Sequence, residues 1–163
     1  MNKIMLLSLA LAFILLGRTH LEAAEPKPLE NFQKLTSYDL EQGIKLAQDN
    51  KKYVLMYFWA DWCSNCSDFQ SKVLTEPRVV NSLSESFIFI PINIDREQAI
   101  AKTFKVRAVP TFFFLDQKAE PASYLPGAMP ADLFLNILSY ISSASYKSVE
   151  FDDYLSALEK KTP

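Results

Sequence analysis

Residues 52–60, KYVLMYFWA, are apolar at almost every position. A strand with one wet face would alternate, so this run predicts a strand buried on both faces, as in parallel sheets covered by helices. SFIFIPINID at 86–95 repeats the pattern, and TFFFLD at 111–116 gives a third strand. ASYLPG at 122–127 makes a fourth, entered through Pro121 and left through Pro126 and Gly127.

Helical periods fill the intervals. Ser37 is placed to cap a helix through Asn50, with Leu40, Ile44 and Ala47 on one face and Glu41 four residues before Lys45. A second helix starts at Cys63 and runs to about Leu74, turning Phe69 and Val73 inward. Pro77 opens a third piece, EPRVVNSLSES. REQAIAKTF at 96–104 is a short helix with Ala99, Ile100 and Phe104 inward, and 130–143 is a strongly apolar helix with Pro130 at its first position. The tail SVEFDDYLSALEKK has Ser148 as cap, acids in its first turn, lysines in its last, and a stripe of Phe151, Tyr154, Leu155 and Leu158 expected to pack on the domain.

Strand and helix in alternation, then two strands and a helix, predict an α/β fold with a mixed sheet of about four strands flanked by helices. The first two strands should be parallel through a right-handed crossover. The last two are joined too tightly for anything but an antiparallel hairpin.

The N-terminus adds a location. Lys3 precedes a thirteen-residue apolar stretch at 4–16, and Ala23 and Ala24 follow as small residues. This reads as a secretory signal peptide over 1–24, removed on export; the stretch is shorter than the about 20 residues of a membrane span. An uncleaved membrane anchor is the alternative. The rest divides into a lead-in at 25–36, one domain at 37–144 and the C-terminal helix at 145–163. Export implies a compartment outside the cytosol, where disulfides persist.

Charge and composition exclude several functions. The formal charge of −2 becomes about −3 without Lys3, Arg18 and Glu22, and no Lys/Arg cluster remains, so nucleic acid is not expected as a partner. The single histidine, His20, lies in the signal segment. The mature chain then has no imidazole for a metal site or acid–base catalysis, and no metal is expected.

Both cysteines fall in YFWADWCSNC, three positions apart at Cys63 and Cys66. Zinc needs about four ligands, more than one such chain supplies, although two thiolates suit copper(I) in a binding module. A structural staple over so short a loop removes little chain entropy. A reactive pair has a mechanism: at a helix start, free N–H groups and the helix dipole stabilise a thiolate on Cys63. Cys66, nearly one turn inside, is placed to resolve a mixed disulfide formed at Cys63.

FWADWCSNC resembles the active-site segment of thioredoxin-like proteins, and KVRAVPTFFFLD resembles that family's second landmark, a cis-proline before a strand. The likeness runs from about 38 to 143, and especially to periplasmic members such as the C-terminal domain of the disulfide interchange protein DsbD. It implies a thioredoxin-like fold and thiol:disulfide oxidoreductase activity through a redox-active disulfide, with no bound cofactor. By the same resemblance Cys63 is the nucleophile and Cys66 the resolving thiol. Trp62 is a flat apolar cover beside them, Ser64 and Asn65 set the character of the pair, and cis-Pro110 lets the Val109 backbone bind a partner segment. The implied partners are disulfide-containing exported proteins and a membrane-bound electron donor, with the protein itself a monomer.

The chain also departs from the family pattern. The acid usually found six residues before the first cysteine is Tyr57, and the lysine it pairs with on the next strand is Pro91. Proton transfer at Cys66 is therefore expected to use water, Asp61 or Asp68. Ser64 and Asn65 bring no histidine to stabilise the thiolate further, which points toward reduction of partners; an oxidase or isomerase runs the same cycle backwards.

Overall fold

The computed structural model describes residues 35–160, so the expected signal peptide and most of the lead-in lie outside the described residues. Helix α1, Leu40–Asn50, leads into strand β1, Tyr53–Trp59, and then helix α2, Ser64–Lys72. Helix α3, Pro77–Ser86, strand β2, Phe87–Asn93, and helix α4, Gln98–Thr103, follow. Strands β3, Thr111–Leu115, and β4, Pro121–Pro126, precede helix α5, Ala131–Ser142, a 3-10 turn at Ser145–Lys147, and helix α6, Phe151–Glu159.

The sheet order is β2-β1-β3-β4. β1 runs parallel to β2 and antiparallel to β3, which pairs antiparallel with β4. The expected mixed four-stranded α/β fold is the observed one. β1 is an inner strand and β2 an edge strand, yet both are buried along their whole length, which explains their unbroken apolar sequences.

Alternate residues of β1 serve different halves of the core. Leu55 and Tyr57 join Phe69, Phe89, Phe112, Phe134 and Leu138 on the face covered by α2, α3 and α5. Val54, Met56 and Phe58 join Ile88, Ile90 and Ile92 on the face covered by α1 and α4. Each such fully buried side chain contributes about 1.5–3 kcal/mol relative to exposure.

Several local expectations are corrected. Asp39, not Ser37, caps α1, its carboxylate accepting from Gln42 N–H at 2.9 Å. Ser37 instead forms a parallel bridge to Phe89 on the edge of β2, and Tyr38 N–H donates to Phe89 O at 3.3 Å. That attachment holds the chain extended until Asp39. Lys45 pairs with Asp49 at 2.7 Å rather than with Glu41. In α4 the buried alanine is Ala101, whereas Ala99 is exposed. Pro130 sits at the cap of α5, one position before the helix. Glu150 occupies the cap position of α6 in place of Ser148, which ends the 3-10 turn.

At the far end of the chain, Phe151 and Tyr154 of α6 lie against Tyr140 of α5, with ring centroids 5.1 Å apart in both pairs. Ser139 and Tyr154 share a hydroxyl–hydroxyl bond of 2.8 Å. No helix among the described residues is long and apolar enough to cross a membrane.

Candidate active site

β1 ends at Trp59, and the chain turns through Ala60, Asp61 and Trp62 before Cys63, which occupies the cap of α2 with an extended backbone (φ −86°, ψ 100°). Its sulfur accepts from Cys66 N–H at 3.1 Å, a first-turn donor shared with the Cys63 carbonyl oxygen at 3.0 Å. Cys63 and Cys66 are joined by a disulfide with Cα atoms 5.2 Å apart. The two differ in access: Cys63 is 7 % exposed and Cys66 fully buried.

The second landmark meets this loop through the sheet. The Val109–Pro110 peptide is cis, and the next residue, Thr111, is registered with Phe58 of β1. Continuing that register sets Pro110 opposite Trp59, at the end of β1 from which the cysteine loop departs. Thr111 Oγ1 donates to Ala108 O at 2.7 Å, and Gly127 N–H donates to Pro110 O at 2.8 Å, holding the proline loop from both sides. Gly127 does so at φ +94°, a conformation that favours glycine.

The remaining expected residues divide by surroundings. Trp62 is 68 % exposed, with its indole N–H donating to Asp95 Oδ2 at 2.9 Å, so it is a tethered surface ring and not part of the core. Trp59 is buried in the core, as expected. Ser64 and Asn65 are exposed in the first turn of α2. Asp61 accepts from Arg96 at 3.1 Å and from Asn93 Nδ2 at 3.3 Å, while Asp68 pairs with Lys72 at 3.0 Å. Both carboxylates are thus exposed and engaged by cations.

Sequence reasoning passed over the residues that hold the loop. Asn93 ends β2 buried, and its Oδ1 accepts from the N–H groups of Asp95 and Arg96 at 3.0 and 3.3 Å. Asn93 N–H in turn donates to Glu97 at 3.0 Å. Burial pushes the Glu97 carboxyl above its ordinary range, against the pull of that bond. A polar residue closing a wholly apolar strand was the available clue. Tyr57 lies opposite Pro91 in the parallel register. Burial drives its phenol well above the ordinary value, a rise only partly offset by Gln70.

A family profile described as a thioredoxin-like domain matches residues 40–142. The thiol:disulfide interchange protein DsbD of Vibrio vulnificus (strain CMCP6) is 32 % identical over 111 residues, covering 64 % of this chain and 18 % of that protein. DsbD of Photorhabdus laumondii is 27 % identical over 117 residues, covering 68 % and 20 %. The chain therefore spans about a fifth of the length of these curated relatives. Among solved structures, a thioredoxin from Thermus thermophilus superposes with a TM-score of 0.61 at 29 % identity, covering 66 % of this chain and 87 % of that one. A thioredoxin-fold protein from Helicobacter pylori, at 22 % identity and TM-score 0.58 over 76 % and 84 % of the chains, shares the fold.

Proposed function

We propose, from the premise that this chain belongs to the thioredoxin-like domain family, that it is an exported thiol:disulfide oxidoreductase that reduces disulfides of periplasmic proteins. The observation that carries this reading is the asymmetry of the pair. Cys63 caps α2 and keeps a small exposure of 7 %, while Cys66, one turn on, is wholly buried. Each unit by which the helix terminus lowers the Cys63 thiol pKa is worth about 1.36 kcal/mol in favour of thiolate.

In the proposed cycle the Cys63 thiolate attacks one sulfur of a partner disulfide, and the other partner sulfur leaves and takes a proton. The mixed disulfide is resolved when Cys66, giving up its proton, attacks the Cys63 sulfur and expels the second partner sulfur, which is protonated in turn. Two electrons pass to the partner, and the Cys63–Cys66 disulfide remains. The Val109 backbone beside Pro110 binds the partner segment, Trp62 shields the sulfurs, and Ser64 and Asn65 tune the pair. Water, Asp61 or Asp68 exchanges the protons. The chemistry uses no bound cofactor, and a membrane-bound dithiol donor resets the pair, as fits the likeness to DsbD.

The test is turnover of a protein disulfide by the reduced protein, together with the equilibrium of the pair in graded dithiol/disulfide buffers. Cys63→Ser should abolish turnover, and Cys66→Ser should accumulate the mixed disulfide. A low potential near the thioredoxin end of the known range, about −270 mV, supports reduction; one near −120 mV means oxidation of partners instead. Copper(I) binding without any reversible thiol–disulfide transition would replace the enzyme with a binding module.

A further inference from the structure

A buried phenol lies under the buried cysteine. Tyr57 of β1 is wholly enclosed, and its hydroxyl donates to the carbonyl of Cys66 at 3.4 Å while accepting from Gln70 Nε2 at 3.3 Å. Cys66 and Gln70 are one helical turn apart on α2, so a single hydroxyl braces the first turn of the cysteine helix against the central strand. Gln70 is itself half-buried.

We propose that Tyr57 and Gln70 are a neutral positioning pair for the resolving thiol. They fix the backbone of Cys66, and so the approach of its sulfur to Cys63, while keeping ionisable carboxyls out of the core beneath the sulfurs. The inference rests on the reading of Cys63 and Cys66 as a working redox couple.

The surroundings of the hydroxyl support neutrality. Phe69 from α2, Phe89 from β2 and Phe112 from β3 pack against the Tyr57 ring, and Pro91 of β2 faces it across the sheet. Phe134 of α5 backs Phe69 and Phe112. None of these side chains titrates. The charged groups flanking the site from the loop and from α2 are Asp61, Asp68 and Lys72; the first is held by Arg96 and the other two by each other, all exposed. An amide carries no proton equilibrium, and a phenol in this setting keeps its proton through neutral pH. A carboxylic acid at the same depth would have its pKa raised by burial and, beside the thiols, would titrate differently in the oxidised and reduced protein, adding its own proton step to the exchange.

The experiment is the exchange equilibrium with dithiothreitol from pH 5 to 9. Protein disulfide and dithiol give protein dithiol and cyclic reagent disulfide, with protons balanced while every thiol is protonated. The constant should be flat, then change up to tenfold per pH unit above the Cys63 thiol pKa, with one break from the protein. Gln70→Glu should add a second break. Tyr57→Phe should keep one break while speeding alkylation of Cys66 several-fold, read in a Cys63→Ser background. A second protein break in the unaltered chain, or Cys66 alkylation unchanged by Tyr57→Phe, overturns the proposal, and the unaltered chain decides the first point even should a variant misfold. A pair that never exchanges at any pH removes the redox reading, and this inference with it.

Discussion

At Cys63 the backbone is still extended, and one turn later at Cys66 it is helical; the first residue keeps a small exposure and the second none. The same local logic applies at Asp116, which closes β3 and receives the N–H groups of Lys118 and Glu120 at 2.8 and 3.0 Å. Burial alone would raise its carboxyl pKa, but those two donors and the Lys147 ammonium outweigh it and hold the pKa below the ordinary value. A lowered folded pKa gives stability that is present above the unfolded value of about 3.9 and lost as pH falls through the folded one. Asp116→Asn should therefore cost about 1 kcal/mol at pH 7 and progressively less toward pH 2, read from urea midpoints at the two pH values. The cysteine pair was legible in the sequence because the chain has only these two. Asn93, Asp95 and Arg96 were not, because they reach Asp61 and Trp62 across 32 to 35 residues of chain, a distance over which spacing carries no information.

Among the elements, α1 approaches the sheet closely at one residue. Gly43 faces Ile90, and a Cβ added there would fall 2.5 Å from Ile90 Cδ1 and 2.8 Å from Cγ1. Gly43→Ala gains about 1 kcal/mol of helix propensity but overpacks a fully enclosed isoleucine, at a cost of about 1–3 kcal/mol. The expected net loss is about 1 kcal/mol, a fall of roughly 4 °C in Tm by calorimetry. The strands were readable because β1 and β2 are buried on both faces and so carry uninterrupted apolar runs. Helix starts were less so. Ser37 and Asp39 are both good caps by chemistry, and the choice between them was made by the bridge from Ser37 to Phe89, a tertiary contact. Lys45 likewise had acids four residues away on either side, and only the folded geometry selects Asp49.

For the whole molecule, the direction of electron flow is also a statement about stability. A pair that reduces others has a disulfide favoured in the folded state, whereas a strong oxidant stabilises its reduced form. The proposed reductive role predicts that the oxidised protein melts a few degrees above the reduced one at pH 7 by calorimetry; the opposite order would make it an oxidant. The fold as a whole was legible because two landmarks far apart in sequence, Cys63 and Pro110, belong to the ends of neighbouring strands β1 and β3.

A sheet of four strands has two open borders, and unprotected borders recruit other chains into aggregates. Here the β2 border carries the attachment of Ser37 and Tyr38 to Phe89, and the β4 border begins and ends in Pro121 and Pro126, which have no N–H to offer. Both sides are thereby poor templates for strand-by-strand growth. Under the proposed function, contact with partner proteins falls to the end of the sheet where Cys63 sits, so that crowding favours brief encounters at a sulfur over lasting association along a strand.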